Sequence, residues 1–250
     1  MANSPLREDI VAGRNAVREA LSQDPAPDKI YLLRGERHGA VLPLVRRAKE
    51  LKIPVEEVSR EKLNSLCGEV NHQGIAALIA SVSYATLEDL FKVAKERGEK
   101  PLFVIADHIS DPHNLGAMLR VCDGAGAHGL ILPKHDACPV NATVLKASAG
   151  AALHVKIARV TNLAATCETL KERGVWIAAL EADGEDYARF DYDLPLALVL
   201  GNEGRGVSRL LRDKSDFCIS LPMRGKINSL NVSCATSVIL YAAERGRRRS

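Results

Sequence analysis

Apolar and polar residues alternate along the first third of the chain with two different periods. Short runs with a period of two predict strands, and apolar residues spaced three or four apart predict helices. The predicted helices cover residues 12–21, 40–51 and 60–67, and the predicted strands cover residues 29–33, 54–58 and 74–82. Because helices and strands alternate, residues 5–82 are expected to fold as one small α/β unit with its own core.

A more polar segment follows at residues 83–100. Its centre predicts one helix over residues 87–97, because Thr86 and Asp89 have the spacing of a capping box and Gly98 can end a helix. We interpret this segment as the linker to a second unit, which covers residues 101–246.

The second unit also alternates strands with helices, but its strands are continuous apolar runs. Predicted strands cover residues 102–106, 129–132, 155–158, 176–180, 196–200 and 217–221, and predicted helices cover residues 115–123, 142–149, 163–173 and 207–213. A final helix is expected to begin with Ser229 at its N-cap. Such alternation is typical of a parallel sheet that is covered by helices on both faces. Pattern alone therefore predicts an unknotted doubly wound α/β sheet, since knots are almost absent from proteins.

The composition is that of a globular protein, with 46% hydrophobic residues in a chain of 250. No apolar run approaches the roughly 20 residues that span a bilayer, and the N-terminal sequence resembles no signal peptide or presequence. We therefore expect a cytoplasmic protein without membrane contact. The net charge of +3 is too small to identify a nucleic-acid-binding protein, although basic residues cluster at 34–47 and 245–249. The six cysteines are scattered without a CxxC pair, and we expect them to be reduced and mostly buried.

Three stretches of the second unit place a turn between a predicted strand and a predicted helix. They cover residues 105–120, 196–213 and 217–241. This order leaves free backbone N–H groups at the carboxyl edge of a parallel sheet, where such sheets bind ligands. The last helix begins with small and polar residues, among them Asn231, Ser233 and Thr236, which favours close packing of its backbone. An ordinary amphipathic helix is the alternative.

Each stretch also carries a specific motif. The first reads DPHNLG at residues 111–116 and is followed by Arg120, the second reads GNEG at residues 201–204, and the third reads LPM at residues 221–223 with SLNVS at residues 229–233. These motifs resemble those of the SpoU/TrmH family of RNA ribose 2'-O-methyltransferases, in the SPOUT superfamily. GRNAV at residues 13–17 and HQG at residues 72–74 are similar to the family's substrate-binding domain, so the resemblance covers nearly the whole chain. Within the family, the chain resembles the RlmB-type enzymes, which modify a guanosine of 23S ribosomal RNA.

The resemblance implies an N-terminal α/β substrate-binding domain and a C-terminal SPOUT α/β domain, whose last third forms a deep trefoil knot. It also implies a homodimer that binds S-adenosylmethionine near the subunit interface. The residues implied in cofactor binding are Leu200, Gly201, Asn202, Ile219, Leu221, Ser229 and Leu230. Of these, Leu221 and Leu230 would flank the adenine.

The catalytic residues that the resemblance implies are Asn114, Arg120, Glu203, Ser229 and Asn231. A ribose hydroxyl is a poor nucleophile, so it must be held in line with the methyl group while the charge that develops on oxygen is stabilised. A guanidinium stays protonated in proteins, and we therefore predict that Arg120 orients the ribose and stabilises this charge rather than acting as a base. Its side chain is expected to pass Gly116 and reach toward Asn114. Glu203 would accept the hydroxyl proton or fix Arg120, and the remaining polar residues would position the ribose and the loops.

Other functions remain open at this point. Residues 124–129 read GAGAHG and match the dinucleotide fingerprint, but they follow a predicted helix and precede a strand, the reverse of the order that NAD binding needs. Residues 107–113 include metal-ligand types, but no further cluster completes a site, and no metal is expected. An RNA-binding module without catalysis would need only the first domain. A tRNA 2'-O-methyltransferase of the same family is the alternative to the 23S enzyme.

Overall fold

The computed structural model describes residues 9–22, 26–36, 39–68, 70–79, 82–202 and 204–248. The chain divides into two compact units. The first, which we call the N-terminal unit, consists of Met1–Ser83 and Pro139–Ala142, and the second, the C-terminal unit, consists of Tyr84–Cys138 and Thr143–Ser250. None of the helices in the described residues is both long and apolar enough to cross a membrane.

The N-terminal unit is built on a mixed sheet. Its strands are β1 (Ile10–Ala12), β2 (Lys29–Leu33), β3 (Val55–Val58) and β4 (Ile75–Leu78), and its helices are α1 (Arg14–Ala20), α2 (Leu42–Glu50) and α3 (Arg60–Cys67). The strand order is β1-β4-β2-β3, with β4 antiparallel to β1 and β2, and β3 parallel to β2. The carboxyl ends of β1, β2 and β3 therefore lie at the same edge of the sheet.

Each face of this sheet carries its own core, because successive side chains of a strand point to opposite faces. In β2, Ile30 and Leu32 pack with α1 and α2, while Tyr31 and Leu33 pack on the side of α3. The residues of β4 follow the same rule and all four are buried. A central strand that is covered on both faces explains the continuous apolar run in the sequence.

The bounds of several N-terminal elements match the sequence prediction and others do not. The strand at 29–33 and the helix at 60–67 are confirmed. The predicted helix at 12–21 begins two residues late, because Gly13 has a φ of 97° and separates the unpredicted strand β1 from α1. The predicted strand at 74–82 ends at Leu78, and residues 80 and 81 lie outside the described part of the chain.

The C-terminal unit contains a fully parallel sheet. Its strands are β5 (Leu102–Ala106), β6 (Gly129–Pro133), β7 (Ile157–Val160), β8 (Trp176–Asp186), β9 (Leu196–Leu200) and β10 (Phe217–Ser220). Its helices are α4 (Leu87–Arg97), α5 (Pro112–Gly124), α6 (Ala142–Ala147), α7 (Leu163–Glu172), α8 (Arg209–Lys214) and α9 (Val232–Arg247). In the described residues the sheet has six strands in the order β10-β8-β9-β5-β6-β7, and all pairs are parallel. This confirms the α/β fold with a parallel sheet.

The order of the strands reverses between β5 and β9. From β5 the chain adds β6 and β7 on one side, and it then returns to build β8, β9 and β10 on the other. Parallel sheets bind ligands beside the carboxyl ends of the strands at such a switch point. The trefoil knot that the resemblance implies stays a prediction.

Local signals set the ends of some helices correctly. Thr86 and Asp89 form the capping box of α4, and Gly98 ends this helix with a φ of 66°. The order of the GAGAHG segment is also as predicted, since it runs from the end of α5 into β6. The last helix differs from the prediction, because its N-cap is Asn231 and not Ser229.

The cysteines are all free, and most are buried as predicted. Burial raises the pKa of the Cys122 thiol to about 12 and that of the Cys167 thiol to about 11. These two side chains are therefore packing residues at neutral pH and not nucleophiles.

Candidate active site at the carboxyl edge of the parallel sheet

The first and third sequence motifs meet at the N-termini of α5 and α9. The Nδ2 group of Asn231 donates a hydrogen bond to Oδ1 of Asn114, with a distance of 3.0 Å between the two atoms. Asn114 is in the first turn of α5, and Asn231 precedes the first turn of α9. The structure therefore brings two of the predicted catalytic residues together although 117 positions separate them.

Asn231 also organises the start of its own helix. Its Oδ1 atom accepts the backbone N–H of Ser233 at 3.0 Å and the hydroxyl of the same residue. This is the bond pattern of an N-cap, which satisfies backbone donors that have no partner within the helix. Ser229 lies two residues earlier in an exposed loop. The prediction that Ser229 caps the helix is wrong, because both residue types make good caps and only the tertiary contact with Asn114 selects the second.

Most of the residues predicted to bind the cofactor line one cavity in the C-terminal unit. Leu200, Gly201, Asn202, Leu221, Ser229 and Leu230 are among its walls. Ile219 is fully buried within β10 and does not line it. Leu180, Glu181 and Val232 also line the cavity, and the sequence analysis assigned none of them to the cofactor.

The turn after β9 requires glycine because two backbone segments touch. A Cβ atom on Gly201 would lie 2.1 Å from the carbonyl carbon of Gly206, and Gly206 itself has a φ of 68°. Asn202 closes the turn by accepting the N–H of Gly204 at its Oδ1 atom, at 2.9 Å. Its Nδ2 group donates to the carbonyl of His108 at 3.3 Å, which links the second motif to the loop after β5. The side chain of Asn202 thus has a structural role in the turn.

Two carboxylates that the sequence analysis did not assign accept backbone N–H groups of the segment that follows this turn. Asp107 is 1% exposed and accepts the backbone N–H of Ser208 at 2.7 Å, while its other oxygen contacts Nδ1 of His108 at 2.5 Å. Glu181 accepts the backbone N–H of Val207 at 2.7 Å. Each of the two follows a predicted apolar strand directly in the sequence, and this position could have identified both.

Arg120 does not join the pair of asparagines. It is exposed on α5, and the structure records no hydrogen bond or ion pair of its side chain within the described residues. It lies six positions after Asn114, and at about 100° per residue the Cα–Cβ bonds of the two residues leave the helix in different directions. The described residues show no bond between Arg120 and Asn114, and the expectation that Arg120 reaches toward Asn114 stays a prediction.

Gly116 lies where α5 packs closely against another segment of the chain. A Cβ atom at this position would lie 2.5 Å from the Cβ of Ala147 and 3.0 Å from the backbone N of Ser148. Gly116 thus permits close packing of α5, and its predicted role beside the Arg120 side chain stays a prediction. The remaining predicted catalytic residue, Glu203, lies outside the described residues.

The cavity suits S-adenosylmethionine by its chemistry. Leu221 and Leu230 form apolar parts of its wall, against which a flat ring can pack, and the glycine turn exposes backbone where a side chain would otherwise intrude. In the described residues, no group of three or more His, Cys, Asp or Glu side chains could hold a metal ion.

Comparison with known proteins identifies the family. The model of the SpoU rRNA Methylase family matches residues 101–241, and the model described as RNA 2'-O ribose methyltransferase substrate binding matches residues 10–85. YacO of Bacillus subtilis, named as a TrmH family tRNA/rRNA methyltransferase, is 43% identical over 242 residues, which are 96% of this chain and 97% of YacO.

Several solved structures share the fold of this chain. The SpoU methyltransferase AviRb of Streptomyces viridochromogenes, in complex with S-adenosylmethionine, has a TM-score of 0.60 at 23% identity and covers 96% of this chain and 91% of its own. An S-adenosylmethionine-bound rRNA methyltransferase of Sinorhizobium meliloti has a TM-score of 0.59 at 25% identity. The match covers 94% of this chain and 86% of the Sinorhizobium meliloti chain. The TrmH/SpoU tRNA modifying enzyme of A. aeolicus has a TM-score of 0.56 at 33% identity. The match covers 64% of this chain and 85% of the A. aeolicus chain. The chain therefore belongs to the SpoU/TrmH family of S-adenosylmethionine-dependent RNA methyltransferases.

Proposed function

We propose that this protein methylates the 2'-hydroxyl of a guanosine ribose in 23S ribosomal RNA. The single observation that carries the chemistry is the Asn114–Asn231 bond, which unites two motifs beside the cavity. S-adenosylmethionine supplies the electrophilic methyl group when bound. The walls of the cavity hold its adenine, and the asparagine pair orients the ribose that is to be methylated.

The charge that develops on the ribose oxygen needs a donor, and we assign this role to Arg120. Since Arg120 is exposed on α5, it is available to a substrate or to a second subunit. We propose a homodimer, in which Arg120 can complete a site together with residues of another copy. Ser229 lies in an exposed loop at the cavity, where its hydroxyl can position the substrate or the cofactor. For Glu203, the proposed role is to accept the hydroxyl proton or to fix Arg120.

The extent of the similarity supports a ribosomal substrate. The rRNA methyltransferase of Sinorhizobium meliloti covers 94% of this chain, whereas the A. aeolicus tRNA modifying enzyme covers 64%. A chain that carries an additional RNA-binding unit suits a long RNA, where one nucleotide must be found among many. The relative YacO is named for both tRNA and rRNA, so tRNA is the second candidate substrate.

We propose that residues 5–82 recognise the RNA, and that the contact surface is one edge of the N-terminal sheet. Arg14 follows β1, Arg34 follows β2 and Arg60 follows β3, so the topology places these three cations at the same edge. Arg34 and Arg60 are exposed. The loop before β4, with His72 and Gln73, lies at this edge too, because β4 runs in the opposite direction.

The loop at this edge is held in a defined shape. The Oε1 atom of Gln73 accepts the backbone N–H of Arg14 at 3.1 Å, and the Nε group of Arg14 donates to the carbonyl of Gln73 at 3.2 Å. His72 accepts the N–H of Gly74 at Nδ1 and contacts Asn64 through Nε2. Burial, with a contribution from the charge of Arg60, lowers the pKa of His72. His72 is therefore neutral at neutral pH and shapes the loop, while Arg34 and Arg60 provide the positive charge, because Arg14 forms an ion pair with Glu36.

The experiment that tests the proposed function is a map of 2'-O-methyl groups in RNA that is made with and without the protein. Purified full-length protein, S-adenosylmethionine and unmodified 23S RNA should yield one new methylated guanosine, whereas a tRNA pool should remain unchanged. Methylation of tRNA alone would support the second candidate. If neither RNA gains a 2'-O-methyl group, the proposed reaction is wrong.

A further inference from the structure

The carboxylate of Glu181 lines the proposed cofactor cavity. Glu181 lies in β8, beyond the part of this strand that pairs with β9, and its side chain is half-buried. Among the described residues that line the cavity, it is the only one with an ionisable side chain. All of the other lining residues are apolar, glycine or uncharged polar.

Glu181 is fixed in place by the turn after β9. Its Oε1 atom accepts the backbone N–H of Val207 at 2.7 Å, and the same atom lies 3.1 Å from the position that a Cβ of Gly206 would take. One oxygen is thus used to hold the turn. The charge of the carboxylate remains, because a single backbone N–H neutralises little of it.

No lysine or arginine in the described residues forms an ion pair with Glu181. Arg212, which lies near enough to sense its charge, is bound to Asp183 at 2.5 Å. The cavity therefore has a negative wall without a matching protein cation. A partly buried charge of this kind stabilises a ligand of opposite charge that enters the cavity.

We propose that Glu181 makes the cavity select the sulfonium form of the cofactor over the thioether product. S-adenosylmethionine carries a positive charge at sulfur, and S-adenosylhomocysteine lacks it. The two molecules are otherwise nearly identical, so apolar contacts and backbone hydrogen bonds cannot distinguish them strongly. Glu181 thus favours release of the product after methyl transfer. This inference rests on the proposed placement of the cofactor in the cavity.

The test compares the dissociation constants of the two molecules, measured by calorimetry on full-length variants. Glu181→Gln removes the charge but retains an amide oxygen that can accept the N–H of Val207. We expect this variant to bind S-adenosylmethionine about fivefold more weakly, with unchanged affinity for S-adenosylhomocysteine. Its melting temperature should stay close to that of the wild type. If Glu181→Gln reduces the affinities for both molecules equally, or changes neither affinity, the proposal is overturned.

Two further variants make the result specific. Glu185→Gln removes the same charge from an exposed position of β8 that does not line the cavity, and it should leave the ratio of the two affinities unchanged. A ratio that falls as much as in Glu181→Gln would show a general charge effect and overturn the proposal. Leu230→Ala removes an apolar side chain from the wall of the cavity and should reduce the affinities for both molecules by the same factor. If Leu230→Ala binds both as well as the wild type does, the cofactor lies elsewhere, and the placement itself fails.

Discussion

Arg120 is the residue whose role can be separated most cleanly from cofactor binding. It is exposed on α5 and is not among the residues that line the cavity. If it stabilises charge on the ribose oxygen, Arg120→Ala should reduce turnover by about 10² or more, the size seen when one such donor is removed. The affinity for S-adenosylmethionine should remain nearly unchanged. Single-turnover methylation and calorimetry on the same preparation measure the two quantities.

Two variants serve as controls for Arg120. Arg120→Lys should also lose most activity, because an ammonium cannot replace the planar fork of a guanidinium. Arg209→Ala removes an arginine whose side chain is 95% exposed on α8 and should leave turnover unchanged. A near-normal rate for either variant of Arg120 would contradict its catalytic role.

At the scale of elements, Asn231 has two tasks that different substitutions can separate. Its Oδ1 atom caps α9, and its Nδ2 group binds Asn114. Serine is as good an N-cap as asparagine but is too short to replace the amide group that reaches Asn114. Asn231→Ser should therefore retain the stability of the wild type and lose most methylation. Urea unfolding and a methylation assay measure the two effects.

The matched variant for the cap is Asn231→Ala. It removes both contacts and should cost about 1 kcal/mol of unfolding free energy in addition to the lost activity. If Asn231→Ser methylates RNA as fast as the wild type does, the bond to Asn114 has no role in catalysis.

The buried side chain of His128 is expected to make the stability of the folded state depend on pH. It is 1% exposed, its Nδ1 atom accepts the backbone N–H of Leu102 at 2.9 Å, and its Nε2 atom contacts Glu99 at 2.9 Å. Burial lowers the pKa of His128, although the nearby carboxylate of Glu99 opposes the shift. Protonation at Nδ1 would break the bond to Leu102, so the folded state prefers the neutral ring.

A lowered pKa in the folded state sets the sign of the pH dependence. Above the ordinary histidine pKa of about 6.5, both the folded and the unfolded state hold the ring neutral, and this stability is fully present. As the pH falls below that value, the unfolded state binds a proton first, and stability is lost down to the folded pKa. The melting temperature should therefore fall between pH 7.5 and pH 5.5, and it should fall less in His128→Gln. His154→Gln, at an exposed position, should retain the wild-type decrease. Equal decreases in His128→Gln and the wild type would contradict this assignment.

The elements that the sequence predicted best are those whose ends depend on local contacts. The bounds of α4 follow from Thr86, Asp89 and Gly98, which act within one turn of the helix ends. β1 was not predicted, because three residues carry little periodicity and the strand exists through its pairing with β4, more than 60 positions away. The contacts of Asn231 with Asn114 and of Glu181 with Val207 are equally non-local. The motifs thus predicted candidate site residues, whereas the spatial arrangement of these residues depends on the strand order.

At the scale of the whole molecule, the central question is which surface binds RNA. Two groups of cations in the N-terminal unit compete for this role. Arg34 and Arg60 lie at the edge where three strands end. Arg46 and Lys49 lie on α2, and both are exposed. The edge is favoured, because it also presents the ordered loop of His72 and Gln73.

Counterion release allows the two surfaces to be distinguished. Each lost phosphate contact lowers the log–log slope of RNA affinity against salt by roughly 0.7 to 0.9 units. The double variant Arg34→Ala/Arg60→Ala, made in the full-length chain, should therefore bind RNA more weakly, with a slope reduced by about 1.5 units. Arg46→Ala/Lys49→Ala removes the same charge from α2 and should retain the wild-type slope. Calorimetry with S-adenosylmethionine should give the same affinity for all three proteins, since these residues lie outside the cavity. If the slope of RNA affinity against salt is reduced in the α2 variant and unchanged in the edge variant, RNA binds along α2, and the proposed surface is wrong.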